Sequence, residues 1–166
     1  MRDIILIAHN LRSCHNVGSI LRTAEGLGIE MVYFTGYTPY PLHQADTRLP
    51  HLATKITKQI HKTALGAEDM VSWCYQEDIM SLCTQLKNAG FTIAAIEQDA
   101  RAIRLPDYAP SNKVALLVGR EVEGIEGALL DQSDIILEIP MFGKKESFNV
   151  VQAAAMAVYH CRFSSQ

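Results

Sequence analysis

The sequence has few of the features that would place it in a membrane, in an oxidising compartment or on bare nucleic acid. Its four cysteines (Cys14, Cys74, Cys83 and Cys161) form no CxxC pair, so we expect reduced, buried thiols. No run has the length and apolarity of a membrane span or a signal peptide, and we therefore expect a cytoplasmic protein without a membrane partner. The net charge of −3 argues against a nucleic-acid coat protein or a histone-like protein, but it allows a local basic face.

Several common catalytic and cofactor motifs are also missing. The loop HNLRSCHNVG, residues 9–18, lacks the glycine fingerprint of dinucleotide sites and of ordinary Rossmann methyltransferases. The GKK at 143–145 is not part of a P-loop, and the GxSxG elbow of serine hydrolases is absent. His9, Cys14 and His15 do not have the spacing of a zinc site, so we predict no metal.

Strand-like and helix-like segments alternate along the chain. Apolar runs of strand length occupy 3–9, 29–36, 71–75, 91–97, 114–118 and 135–139. Helical spacing follows Asn16, which is placed to cap a helix that stops at Gly28, and recurs at 77–89, in a short helix through Leu130, and from about Ser147. We predict a single α/β domain over 1–166, with a mainly parallel sheet flanked by helices.

The last helix is apolar on every side between Val150 and Tyr159. Such a helix must be buried on more than one side. One side can pack on its own domain, and the other needs either more of that domain or a second subunit. The polar turn before it brings Ser147 and Asn149 to its N-terminus, where free N–H groups favour anions.

Three polar, glycine-bearing loops follow predicted strands, at 10–18, 119–124 and 141–149. Ligands of parallel sheets collect at the carboxyl ends of the strands. If the loops meet, one pocket receives a set of polar side chains: Asn16, Arg22, Glu121, Ser147 and Asn149. Taken one at a time, Asn16 and Ser147 could equally be helix caps, and Glu121 could simply face solvent.

Residues 37–66 interrupt the alternation with prolines and a basic passage. Its cations are Arg48, Lys55, Lys58 and Lys62. The three lysines could share one face of a helix, opposed only by Asp46. The segment is either a solvated loop and helix or a substrate contact, since long insertions are often functional.

Three segments resemble, in order and spacing, the motifs of the SpoU (TrmH-like) branch of the SPOUT RNA methyltransferases. They are NVGSILRTAEGLG at 16–28, LLVGREVEGI at 116–125 and IPMFGKKESFNVVQAAAMAVY at 139–159. The resemblance implies a sheet whose C-terminal part is threaded into a trefoil knot. It also implies S-adenosylmethionine bound in the knot and a homodimer through the C-terminal helix.

The resemblance also implies roles for single residues. Arg22 matches the arginine that activates the ribose 2′-hydroxyl, and Asn16 the asparagine that positions it. A free arginine is a poor base, so it would act by holding phosphate and stabilising the alkoxide. Glu121 matches the glutamate of the second motif, and Ser147 with Asn149 the polar pair of the third. The positions that match the cofactor-binding loops are Ile96, Val118, Gly119, Ile139, Met141, Ser147, Phe148 and Asn149.

One departure from the family pattern is Arg120, which stands where asparagine or proline is frequent. The chain also resembles a bare catalytic core with no extra RNA-binding domain, so the basic residues Arg48, Lys55, Lys58 and Lys62, with the dimer surface, would bind the RNA. We expect methyl transfer from S-adenosylmethionine to a ribose 2′-hydroxyl of structured RNA, tRNA in preference to rRNA. A non-catalytic, knotted RNA-binding dimer and a base-directed methyltransferase are the alternatives.

Overall fold

Strands and helices alternate throughout the computed structural model, which describes residues 1–164. The elements are, in order, β1 (Asp3–His9), α1 (Cys14–Gly26), β2 (Met31–Thr35), α2 (Pro50–Ala64), β3 (Trp73–Gln76), α3 (Ile79–Asn88), β4 (Thr92–Ile96), β5 (Ile103–Arg104), β6 (Lys113–Val118), α4 (Gly127–Gln132), β7 (Ile135–Glu138) and α5 (Val150–Phe163).

The strands form one seven-stranded sheet in the order β3-β2-β1-β6-β4-β7-β5. Every neighbouring pair is parallel, which confirms the predicted α/β class. β1 lies between β2 and β6, so side chains on both of its faces are buried. This position explains why DIILIAH is an uninterrupted apolar run and not an alternating one.

Helices cover both faces of the sheet. On one face, Ile4 and Leu6 of β1 belong to a core shared with α1, α2 and α5. On the other face, Ile5 and Ile7 belong to a core shared with α3 and α4. α1 and α2 meet at Gly18, where a Cβ atom would lie 2.2 Å from the carbonyl oxygen of Ile60. Only glycine permits this approach, so the two helices are held tightly together.

Two helix starts differ from the sequence predictions. α1 begins at Cys14, and its cap is Ser13, whose hydroxyl accepts from the Asn16 amide at 3.2 Å. The prediction that Asn16 is the cap was wrong because Ser13 is an equally good cap one turn earlier. α5 begins at Val150 and not near Ser147, because Asn149 and Gln152 form a capping box. The side chains of Asn16 and Ser147 are therefore not used as helix caps.

Other boundaries moved less. The predicted strand at 29–36 is shorter, and the predicted loop at 100–112 contains the two-residue edge strand β5. The basic passage after residue 37 includes a full helix, α2, which begins at Pro50. Proline is favourable in the first turn of a helix because its missing N–H would be unpaired there. In the part of the chain that the structure describes, no helix is long and apolar enough to cross a membrane.

α5 is only partly covered within one chain. Val150, Ala154, Ala157, Val158 and Cys161 face the core. The Tyr159 and Phe163 rings contact each other at a tilt, with centroids 4.6 Å apart, yet they are 60% and 62% exposed. The second burial surface that the apolar sequence demands is therefore not supplied by residues 1–164.

The cysteines differ in their surroundings. All four thiols are free. Cys83 and Cys161 are buried, and burial raises the pKa of each thiol to about 11. Cys14 is half-buried and Cys74 is exposed, so the expectation of buried thiols was wrong for Cys74. Its position on the outer strand β3 leaves one side of the residue open to solvent.

Candidate active site

An open cleft lies at the carboxyl ends of β4, β6 and β7. This is the edge of a parallel sheet at which ligands collect. The lining residues come from the loops after these strands and from the first turns of α5: Ile96, Glu97, Gln98, Val118, Gly119, Arg120, Glu121, Val122, Glu123, Gly124, Ile139, Met141, Ser147, Phe148, Val150 and Ala153. All the predicted cofactor positions are among them except Asn149, whose side chain caps α5.

The turn at 119–124 forms one wall of the cleft, and its shape requires glycine at both ends. A Cβ atom on Gly119 would lie 2.5 Å from Ile125 Cγ1, and Gly124 has a φ of +70°. The turn is closed by paired backbone hydrogen bonds between Arg120 and Gly124, at 3.3 and 3.2 Å. It is anchored by Glu97 Oε2, which accepts from the Ile125 amide at 2.8 Å. No sequence pattern indicated this role for Glu97.

A polar cluster joins the three motif loops beside the cleft. Glu121 Oε1 accepts from Asn16 Nδ2 at 3.0 Å and from the Ser13 amide at 3.3 Å. Its second oxygen accepts from the Arg12 amide at 3.4 Å. Asn149 Nδ2 donates to Asn16 Oδ1 at 3.5 Å. The carboxylate thus lies at the N-terminus of α1, where unpaired N–H groups favour a negative charge.

Two other predicted residues are placed differently. Ser147 is exposed and lines the cleft. Arg22 is exposed on α1 and does not line it, and among residues 1–164 it has no hydrogen-bond or ion-pair partner. The structure therefore brings Asn16, Glu121, Asn149 and the Ser147 loop together, and leaves Arg22 outside.

A second polar network lies behind the 119–124 turn, at the end of β1. His9 Nδ1 is 2.8 Å from Thr35 Oγ1, and Asn10 Nδ2 is 3.0 Å from His9 Nε2. Asn10 also donates to Glu126 Oε1 at 3.3 Å, and the same oxygen pairs with Arg120 Nη2 at 3.4 Å. Burial is the main cause that lowers the pKa of His9, so its ring is neutral at pH 7. The only sequence signal for this network was a pair of polar residues closing an apolar strand.

Comparison with known proteins shows the family to which the chain belongs. The profile of the SpoU rRNA methylase family matches residues 3–159. The chain belongs to this family. An uncharacterized tRNA/rRNA methyltransferase of Mycobacterium bovis is 29% identical over 158 residues, which cover 93% of this chain and 50% of that protein. The chain thus spans about half the length of such relatives.

Two further SpoU-type proteins extend the comparison. The tRNA (guanosine(18)-2'-O)-methyltransferase of Aquifex aeolicus is 24% identical, over 97% of this chain and 69% of the relative. The crystal structure of the AdoMet-bound rRNA methyltransferase from Sinorhizobium meliloti has a TM-score of 0.80 at 19% identity. It matches 96% of this chain and 56% of that one. This likeness shows a shared SPOUT-type fold.

The basic residues of this SpoU-family chain fall into two groups. Arg48 is bound internally, because its guanidinium pairs with Asp46, donates to the Tyr40 carbonyl at 3.0 Å and lies over the Tyr40 ring. The Arg48 contact holds the pKa of Asp46 well below its usual range. All three nitrogens of the Arg48 guanidinium have partners within the chain, so its binding to RNA stays a prediction that these contacts do not support.

The three lysines, in contrast, are open to solvent. Lys55, Lys58 and Lys62 line one shallow groove on α2, together with Pro50, His51, Thr54 and Gln59. α2 contains no acidic residue, and none of the three lysines has an ion-pair partner within residues 1–164. Their binding to RNA stays a prediction, with a geometry that permits it.

Proposed function

We propose that this SpoU-family chain transfers a methyl group from S-adenosylmethionine to a ribose 2′-hydroxyl of structured RNA, tRNA in preference to rRNA. One observation carries the proposal: Asn16, Glu121 and Asn149, one from each motif loop, are hydrogen-bonded together beside an open cleft at the carboxyl ends of the strands. Family membership and the name of the Aquifex relative support the reaction.

The cleft has the surfaces that a nucleoside cofactor needs. Ile96, Ile139 and Phe148 offer apolar surface for the adenine ring. At Gly119 a side chain would fill the wall, so glycine lets the backbone approach the ligand closely. When bound, the cofactor supplies the reactive methyl group. The protein then contributes orientation and electrostatics.

The polar cluster lies where a ribose can be oriented. The Asn16 and Asn149 amides fix one another, and Glu121 fixes Asn16, so their remaining hydrogen-bonding atoms have defined directions. Such preorganisation is what lowers the barrier of a transfer between two bound groups. Arg22 is too weak a base to remove the hydroxyl proton. Its role is to hold an RNA phosphate and stabilise the negative 2′-oxygen as the hydroxyl proton passes to solvent water.

The remaining parts of the proposal concern assembly and RNA. We propose a homodimer in which Tyr159 and Phe163 of α5, exposed here, pack on a second copy. The trefoil knot expected from the resemblance, with the cofactor bound in it, belongs to the same proposal. In the dimer, Arg22 of either subunit can serve a given cleft, and Lys55, Lys58 and Lys62 bind the RNA backbone.

The decisive test is Arg22→Ala, with Arg101→Ala as a matched control on an exposed arginine that pairs with Asp99 and Asp131. Methyl transfer from labelled S-adenosylmethionine is measured on tRNA and rRNA from cells that lack the gene. We expect Arg22→Ala to lose transfer on the true substrate while its melting temperature and cofactor affinity are unchanged. Normal methylation by this variant would contradict the proposal.

The position of Arg22 favours keeping a second candidate, a non-catalytic RNA-binding dimer, because a single chain does not bring this residue to the cleft. Calorimetry with S-adenosylmethionine under reducing conditions separates the two. No heat of binding would favour the non-catalytic dimer. If methyl transfer occurs, nuclease digestion and mass spectrometry of the product show whether ribose or base carries the methyl group.

A further inference from the structure

The charges that line the cleft are unequal. Its acids are Glu97, Glu121 and Glu123, whereas Arg120 is the single cation among the lining residues, all of which lie in the described chain. A cofactor with a sulfonium, an ammonium and a carboxylate needs partners of both signs. The one cation therefore determines where an anionic group can be bound.

The three acids are already engaged. Glu97 accepts from the Ile125 and Gln98 amides, at 2.8 and 2.9 Å. Glu121 accepts from Asn16 Nδ2, and Glu123 pairs with Arg12 at 3.0 Å. These contacts fix the walls of the cleft. Only the Glu123 charge is opposed by a cation, so Glu97 and Glu121 still repel an incoming anion, and Arg120 is the group that can attract one.

Arg120 keeps hydrogen-bonding capacity. Its Nε donates to the Gly124 carbonyl at 3.3 Å, and its Nη2 lies 3.4 Å from Glu126 Oε1. Nη1 has no hydrogen-bond partner in residues 1–164, and a quarter of the side chain (25%) is exposed. A guanidinium has five N–H donors, so about three remain for a ligand.

Glu126 is held in a way that keeps its charge directed at Arg120. The carboxylate accepts from Asn10 at 3.3 Å, and its Oε2 lies 3.5 Å from His9 Nε2. Because His9 is buried and neutral at pH 7, it does not compete with Arg120 for the carboxylate charge. The guanidinium is thus fixed by one ion pair and by the backbone of its own turn.

We propose that Arg120 binds an oxyanion at the cleft, positioned by Glu126. This inference rests on the proposed function. The oxyanion is the carboxylate of the amino-acid part of S-adenosylmethionine or a phosphate of the bound RNA. Both are oxyanions that a planar guanidinium binds with two parallel hydrogen bonds, which lysine cannot reproduce.

The test compares two cofactor fragments. S-adenosylhomocysteine keeps the amino-acid carboxylate, and 5′-methylthioadenosine lacks the amino-acid part. Calorimetry measures both ligands on the wild type and on Arg120→Gln, Arg120→Lys and Glu126→Gln, with Arg101→Gln as the matched control. The proposal predicts that Arg120→Gln weakens S-adenosylhomocysteine by about tenfold to a hundredfold, and methylthioadenosine by less than about twofold.

The other variants refine this result. Arg120→Lys keeps the charge but not the paired donors. We therefore expect its affinity for S-adenosylhomocysteine to lie between those of the wild type and Arg120→Gln. Glu126→Gln should weaken S-adenosylhomocysteine more than methylthioadenosine, because it releases the guanidinium without altering the adenosine contacts. A purely structural role of Glu126 would instead weaken both ligands equally.

The RNA arm distinguishes the two sources of the oxyanion. If both fragments bind all variants equally, while Arg120→Gln weakens RNA binding and lowers its log–log salt slope by about 1, the oxyanion is an RNA phosphate. Equal loss of both fragments, or no change in any affinity, overturns the proposal. If the wild type binds neither fragment, the cofactor assignment fails on its own, and the RNA measurement alone decides the role of Arg120.

Discussion

The cleft and the outer face of α1 and α2 differ in how far a single chain completes them. The cleft wall is tied together by backbone pairs, by Glu97 and by the Asn16–Glu121 contact. On the outer face, Arg22 and the α2 lysines point to solvent without an ion-pair partner in residues 1–164. Under the proposed function, this difference means that one chain forms the site for the methyl donor, whereas the acceptor side is completed by RNA and by the proposed second subunit.

The prediction with the greatest change concerns the affinity of the proposed dimer. Tyr159→Glu with Phe163→Glu places charges on the exposed apolar face of α5, and two-fold symmetry doubles the loss of apolar burial. We expect the dimer to weaken on the order of a thousandfold or more, taking 1.5–3 kcal/mol per buried aromatic ring as a rough guide. Analytical ultracentrifugation measures it.

The matched control for this pair is Met70→Glu, since Met70 is 73% exposed at a distant site. Cofactor binding should survive in the α5 variant while methyl transfer is lost. A monomeric variant that still methylates RNA would show that one chain completes the acceptor side by itself.

The next effect in size concerns the cleft itself. Gly119→Ala puts a methyl group 2.5 Å from Ile125 Cγ1 and 2.9 Å from the backbone of Gly124. Overpacking of this kind costs about 1–3 kcal/mol, so we expect roughly a tenfold to hundredfold loss of S-adenosylhomocysteine affinity in calorimetry. Gly143→Ala is the control, because no atom lies within 4 Å of its added carbon. Equal affinities in the two variants would show that the turn does not form the binding wall.

A smaller effect is expected on the outer face. Lys55→Ala, Lys58→Ala and Lys62→Ala should each lower the salt slope of RNA binding by about 1, because each removes one phosphate contact. Filter binding across a salt series measures the slope. Lys87→Ala serves as the control, since Lys87 pairs with Asp134 at 2.8 Å. A slope that is the same in all four variants would remove the α2 groove from the RNA-binding surface.

The smallest effect is a dependence of stability on pH. Folding lowers the pKa of His9 below its model-peptide value of 6.5, so the unfolded chain binds a proton more readily than the native one. Stability is therefore full above pH 6.5 and falls as the pH drops below it. Urea unfolding between pH 5 and 8 should show this slope in the wild type and a smaller one in His9→Gln. Identical pH profiles would show that His9 has no shifted pKa.

Much of the fold could be predicted because local patterns and tertiary positions agree. The apolar run of β1 indicated an interior parallel strand, and β1 does lie inside the sheet. The three motif loops were expected at the carboxyl ends of strands, and contacts between Asn16, Glu121 and Asn149 join them there. In both cases the signal is a pattern of residue types that burial or loop position directly demands.

Other features depend on contacts that no local pattern records. Asn16 and Ser13 are both good helix caps, and only the Glu121 carboxylate, distant in sequence, decides how each is used. The sequence indicated that Arg48 was available to bind RNA, because its contacts with Asp46 and the Tyr40 ring depend on how the loop folds back. Glu97 and Glu126 act through partners on other strands or loops. For Arg22 the situation is the opposite. The resemblance implies a catalytic role, but in a single chain this residue does not line the cleft.

The place of β1 in the sheet has a consequence for folding kinetics. β1 gains one neighbour early, in β2, but its other neighbour is β6, whose residues 113–118 follow much later in the chain. Until β6 has been synthesised and has docked, one edge of an apolar strand keeps its N–H and C=O groups unpaired. Such edges associate with other chains, and pairing over long sequence separations is slow. We therefore expect the newly made chain to be most prone to aggregation during this interval.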